Sequence, residues 1–97
     1  MITLKPDEKK LIKDILRKHL PDCEVYVFGS RTTGKSKKFS DLDLAVKGKK
    51  ALSIKKLSDL KEAFSNSDIL FRIDVVDLSA IDKEFREVIM KNAEVFQ

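Results

Sequence analysis

Glu24-Val25-Tyr26-Val27-Phe28-Gly29-Ser30 is followed, after ten intervening positions, by Asp41-Leu42-Asp43-Leu44-Ala45-Val46, and the rest of the architecture can be built around these two runs. Glu24 to Phe28 is β-branched and aromatic and stops abruptly at Gly29, which reads as a strand running into a tight turn. Asp41 to Val46 alternates: Leu42, Leu44 and Val46 share one face and Asp41 and Asp43 the other, so it reads as a second strand. The polar, lysine-rich segment 30–40 between them reads as a loop. Upstream, Pro6 with Asp7 and Glu8 starts a helix, the acids lying at the positive end of its dipole. Leu11, Ile12, Ile15 and Leu16 stripe that helix, His19 closes it and Pro21 stops it. Downstream, Ser53 caps a second helix carrying Leu57, Leu60 and Phe64 on one face. Asn66, Ser67 and Asp68 turn the chain, and Ile69 to Val76 reads as a third strand. Ser79, with Asp82 three residues on, is close to a capping box ahead of a last helix whose stripe is Ile81, Phe85, Val88 and Ile89. The predicted order is α-β-loop-β-α-β-α, an α/β fold in which a small mixed β-sheet is packed with helices.

The 97 residues suit one domain, 1–97, and a chain of this length buries roughly two-thirds of its surface on folding. Charged residues make up 37%, against about 25% in an average domain, yet 42% are hydrophobic, enough to fill a core; disorder is excluded. No apolar run approaches the ~20 residues of a membrane span, and the opening MITLKPDEKK lacks the apolar stretch of a signal peptide. The chain therefore reads as soluble and cytoplasmic, with no membrane partner. Cys23 is alone, which excludes an intrachain disulfide and a cysteine-rich metal site; it reads as a small buried filler or a loop thiol. Twenty basic against 16 acidic residues give a net charge of +4, which permits anionic partners such as nucleotides or nucleic acid without demanding them. Nucleic acid is the weaker of the two, because an aromatic content of 7% with no Trp leaves little to stack bases on.

Three features carry chemistry. Gly29-Ser30 directly after a strand lets the backbone turn and approach a ligand, with amides and the Ser30 hydroxyl available to phosphate oxygens. Asp41 and Asp43, two apart on one strand face, lie ~7 Å apart along the backbone and can reach inward to bracket a pair of Mg²⁺ ions ~4 Å apart. Asp74 interrupts the apolar run Phe71-Arg72-Ile73-Asp74-Val75-Val76, where an ionised acid is costly without a partner. Each feature has a plainer alternative: an ordinary turn, strand-end acids, and an Asp74–Arg72 surface pair. Asp77 has the wrong parity to join Asp74 and suits the turn before Ser79. Gly29 to Ser36 matches the P-loop pattern G-x-x-x-x-G-K-[ST] letter for letter, but the chain runs from Lys37 straight into the next strand and leaves no space for the helix that pattern requires.

Together, Gly29-Ser30, ten residues, then Asp41-Leu42-Asp43 resembles the G-S-x₁₀-D-x-D signature of the DNA polymerase β-type nucleotidyltransferases, most of all the minimal nucleotidyltransferases. The likeness runs along almost the whole chain and includes the late strand with Asp74. It implies the polymerase β-like nucleotidyltransferase fold and transfer of a nucleoside monophosphate, usually AMP from ATP, to an acceptor hydroxyl. By the same likeness Asp41 and Asp43 hold two Mg²⁺ ions, Asp74 holds the catalytic one and helps deprotonate the acceptor, and Gly29 and Ser30 grip the triphosphate. Many such proteins carry a basic residue where this chain has Thr33, which leaves Arg31 and Lys35 as the cations to assist the phosphates. The resemblance also implies a separate all-helical partner of the HEPN or substrate-binding type, often as a toxin–antitoxin pair. The alternative is a catalytically inert antitoxin-like module that neutralises its partner by binding alone; retention of Gly29, Ser30, Asp41, Asp43 and Asp74 favours the enzyme.

Overall fold

In the computed structural model, which describes residues 4–29 and 41–97, the two alternating runs pair with each other. Strand β1 (Glu24–Phe28) lies antiparallel to β2 (Leu42–Lys47), with Val27 opposite Leu44 and Phe28 opposite Asp43. Strand β3 (Ile73–Asp77) lies parallel to β2, Leu42 opposite Ile73 and Asp43 opposite Asp74. A parallel neighbour requires a crossover, supplied by helix α2 (Ile54–Ser65). A two-residue strand, β4 (Glu94–Val95), adds antiparallel to the free side of β1 and gives the sheet order β3-β2-β1-β4. Helix α1 (Pro6–His19) precedes the sheet, and a 3₁₀ turn (Leu78–Ala80) leads from β3 into helix α3 (Lys83–Met90).

Strand alternation sorts the residues onto two faces. Val25, Val27, Leu42, Leu44 and Val46 are fully buried on one, against Ile12 and Leu16 of α1 and Leu60 and Phe64 of α2. The opposite face carries a smaller cluster of Ala45, Leu78 and Ile89, with Tyr26, Phe28 and Val76 packed against it. Local signals place the helices. Lys5 N donates to Glu8 Oε1 (3.0 Å) ahead of Pro6, and Ser53 Oγ accepts from Lys56 N (3.1 Å), so Ser53 is the cap of α2 as its sequence suggests. Among the described residues no helix is long and apolar enough to cross a membrane.

Four details differ from the sequence reading. The third strand begins at Ile73 and not at Ile69, because its neighbour β2 begins only at Leu42, the register partner of Ile73. Residues 69–72 thus have no β2 residue opposite them, and Leu70 is 76% exposed. The cap of the last helix is Asp82, whose Oδ1 accepts from Phe85 N (2.8 Å); Ser79 is taken up in the 3₁₀ turn, so α3 starts later. Phe85 and Val88 are not core: this helix of eight residues meets the sheet through Ile89 and Met90, which leaves Phe85 49% and Val88 70% exposed. Strand β4 is too short to show any periodicity. It is held by the flanking backbone, where Phe96 N donates to Val25 O (2.8 Å) and Val25 N to Gln97 O (3.0 Å).

Candidate active site

The site starts where β1 stops. Gly29 has φ +83°, a left-handed conformation that costs other L-residues about 1–2 kcal/mol. A Cβ at Gly29 would overlap Asp43 Oδ2, so the glycine both makes the turn and clears space for that carboxylate. The pairing of Phe28 with Asp43 brings the two together, since it puts the residue after Phe28 against the first acid of β2.

Asp43 and Asp74 are register partners on adjacent strands, an arrangement that sets their backbones roughly 4.8 Å apart. Both point to the α3 side of the sheet, one alternation step from Ala45 and Val76, so the acids begin where the apolar cover of that face ends. Asp41 sits just ahead of β2, which starts with Leu42 N donating to Arg72 O (2.9 Å). Arg72 crosses the group: its Nη2 donates to Asp74 Oδ2 (2.9 Å) and its Nε lies 3.8 Å from Asp41 Oδ2. The Arg72–Asp74 pair weighed as the plain alternative is therefore present, but it extends to a second acid of the group.

Electrostatics mark Asp43 apart. Burial pushes its pKa above the usual carboxylate range, the charges of Asp74 and Asp41 push it further, and Arg72 pulls the other way. The hydrogen bond to Asp74, then the charges of Asp74 and Asp41, hold the Arg72 guanidinium still more firmly protonated. As they stand, no three metal-ligating side chains among the described residues converge on one point. The donor set nevertheless suits a hard divalent cation. It is made of carboxylate oxygens only, and after burial the repulsion from Asp74 and Asp41 is the next cause of the raised pKa of Asp43, a repulsion such a cation relieves.

Beside Asp74, between the end of α2 and the start of β3, a cavity of about 600 Å³ is lined by Lys61, Phe64, Ile69, Phe71, Arg72 and Asp74 among others. Its size is that of a small-molecule or side-chain pocket. Asp77 is outside the group, as its parity requires. It is 8% exposed and accepts from Ser79 N (2.9 Å) and from Leu52 N (2.7 Å), tying the segment before α2 to the end of β3. The sequence indicates the bond to Ser79 but not the one to Leu52, 25 residues away. Ser30, Arg31, Thr33 and Lys35 lie outside the described residues. The cation that sequence reasoning missed is Arg72, which it weighed only as a surface partner of Asp74; the signal available was its place two residues before Asp74 on the same strand face.

Comparison with known proteins gives the family and the fold. The family described as Polymerase beta, Nucleotidyltransferase matches residues 10–97. The Haemophilus influenzae protein named "Probable protein adenylyltransferase MntA" is 43% identical over 96 residues, 99% of this chain and 84% of that protein. Among solved structures, a toxin–antitoxin complex with AMP-PNP is similar with a TM-score of 0.78 at 23% identity, covering 92% of this chain and 72% of that one. The complex of tri-AMPylated Shewanella oneidensis HEPN toxin with its MNT antitoxin is similar with a TM-score of 0.69 at 22% identity, covering 92% and 68%. At these identities the structures establish the shared fold.

Proposed function

The chain belongs to the polymerase β-type nucleotidyltransferase family, and we propose that it transfers AMP from ATP to a hydroxyl of a helical HEPN-type partner, acting as the antitoxin of a two-protein system. The observation that carries this reading is the in-register pair Asp43 and Asp74, with Asp41 beside them, against the left-handed turn at Gly29. The 43% identity with a protein named as an adenylyltransferase, along 99% of the chain, supports the choice of AMP and of a protein acceptor. The likeness to toxin–antitoxin complexes supports the kind of partner.

Each residue has a role in this proposal. Asp41 and Asp43 would hold two Mg²⁺ ions, with Asp74 on the catalytic one. Mg²⁺ bound there supplies neutralisation of the charge on the triphosphate and on the attacking and leaving oxygens. Gly29 brings backbone close to the phosphates without a side chain in the way, and Ser30 donates to them. Arg31 and Lys35 are the cations for the triphosphate. Asp74 accepts the proton of the acceptor hydroxyl, and the adjoining cavity gives a protein side chain a way to reach it. The acceptor oxygen forms a bond to the α-phosphorus, the bond from that phosphorus to the bridging oxygen breaks, and pyrophosphate leaves. Electrostatic preorganisation, more than proton transfer, lowers the barrier.

The test is intact-mass measurement of the partner after incubation with ATP and Mg²⁺. The wild-type chain should add one or more AMP groups. Asp41→Asn and Asp43→Asn should add none while remaining folded and still binding the partner. Transfer that persists in both variants would remove these acids from the reaction, and binding without transfer by the wild type would make the chain an inert binding module.

A further inference from the structure

We propose that Arg72 is the site's resident counter-ion: it bridges Asp41 and Asp74 when no metal is bound and is displaced when a divalent cation takes those carboxylates. The inference rests on the reading of Asp41, Asp43 and Asp74 as the metal-binding acids. Two contacts carry it, the 2.9 Å bond from Arg72 Nη2 to Asp74 Oδ2 and the 3.8 Å approach of Nε to Asp41 Oδ2. A guanidinium has no lone pair to offer a metal and sets a positive charge against the Oδ2 atoms of Asp74 and Asp41, so it competes with an incoming cation for those carboxylates. Among the described residues, three formal negative charges stand against this one positive charge, which leaves that group short of counter-charge with Arg72 in place.

The surroundings allow the exchange. The Arg72 side chain is 71% exposed, so little packing resists its departure. Its backbone stays fixed, because its carbonyl accepts from Leu42 N at the point where β2 begins. The long stem can therefore swing while its root remains beside the acids. The side chain also lines the cavity next to Asp74, so the released guanidinium has solvent-facing space to enter without disturbing the core. The charge it gives up at Asp41 and Asp74 is replaced by the metal, and the repulsion around Asp43 falls because the incoming ion carries more charge than the one leaving.

Titration with Mn²⁺, read as the loss of the free-ion electron paramagnetic resonance signal, tests this without reference to activity. Arg72→Gln should bind Mn²⁺ about three- to tenfold more tightly than wild type, the size expected when two exposed ion pairs no longer have to be given up. Lys61→Gln is the control for charge acting through space: it removes a cation from the same cavity that, among the described residues, pairs with none of the three acids. It should tighten binding by less than about twofold. In the wild type, Mg²⁺ should also shift the Arg72 Nε–H resonance. Unchanged or weaker binding in Arg72→Gln, equal tightening in Lys61→Gln, or a resonance unmoved by Mg²⁺ at saturation would each overturn the displacement. If the wild type binds Mn²⁺ and Asp43→Asn does not, those results count against Arg72 alone. If neither wild type nor Arg72→Gln binds Mn²⁺, the metal-site reading fails, and the displacement with it.

Discussion

Replacing Gly29 by Ala isolates the geometric element that sets this site. Two costs add. Alanine at φ +83° loses about 1–2 kcal/mol relative to glycine. The new Cβ also overlaps Asp43 Oδ2, the end of a half-buried side chain, so the carboxylate or the turn must shift, at a further cost of about 1 kcal/mol for a side chain moved off its rotamer. Against a total stability of about 5–10 kcal/mol for a chain of this size, the sum is large. At about 4–8 °C per kcal/mol it lowers the melting temperature by more than about 8 °C. Urea unfolding of wild type, Gly29→Ala, Asp43→Ala and the double variant separates the two costs. With the Asp43 side chain gone only the backbone cost remains, so Gly29→Ala should be cheaper there by about 1 kcal/mol, beyond the ~0.5 kcal/mol scatter of independent sites. An equal cost of Gly29→Ala in both backgrounds would refute the claim that glycine is present to admit Asp43.

Other outcomes follow from the same contacts. The pKa of Asp43 is raised in the folded state, so the native chain holds that proton more tightly than the unfolded one, and ionising Asp43 destabilises the fold above its raised pKa. In a metal chelator, Asp43→Asn should therefore be more stable than wild type near neutral pH. That advantage should shrink as pH falls through the raised pKa toward the ordinary 3.8; a gap that widens on acidification in urea melts would contradict the assignment. Asp77→Ala leaves the amides of Leu52 and Ser79 without their acceptor beside a buried position and should cost about 2–3 kcal/mol, a loss visible in thermal melts; a cost below ~0.5 kcal/mol would show that the tie is dispensable. Asp82→Ala removes the cap of α3 and should cost about 1 kcal/mol, with Asp82→Asn recovering most of it in the same assay.

What could be read from the sequence was what repeats at short range. The alternation of Leu42, Leu44 and Val46 against Asp41 and Asp43 defines β2, and its partner β1 ends at the first residue able to turn sharply, Gly29. The stripes of α1 and α2 meet the sheet as expected, because Ile12, Leu16, Leu60 and Phe64 all enter the core. Placement that depends on a distant neighbour was not legible. Where β3 begins is set by where β2 begins, β4 exists because Val25 offers it a backbone edge, and Phe85, one turn before the buried Ile89 on the same face of α3, stays half exposed because the smaller cluster meets the helix only at its last turn. The same holds within the site. Parity put Asp41 and Asp43 on one face, but only the parallel register shows that Asp74 lies opposite Asp43, and only three dimensions join Arg72 to Asp41 across the strands.

In the proposed reaction these acids direct an attack on the α-phosphate of ATP. Transfer of label to the helical partner should be measured with α-labelled and with γ-labelled ATP, in Mg²⁺, using wild type and Asp43→Ala. Label should reach the partner from the α-position only, with none from the γ-position and none with Asp43→Ala. Label from the γ-position, or α-label transferred equally well by Asp43→Ala, would contradict it.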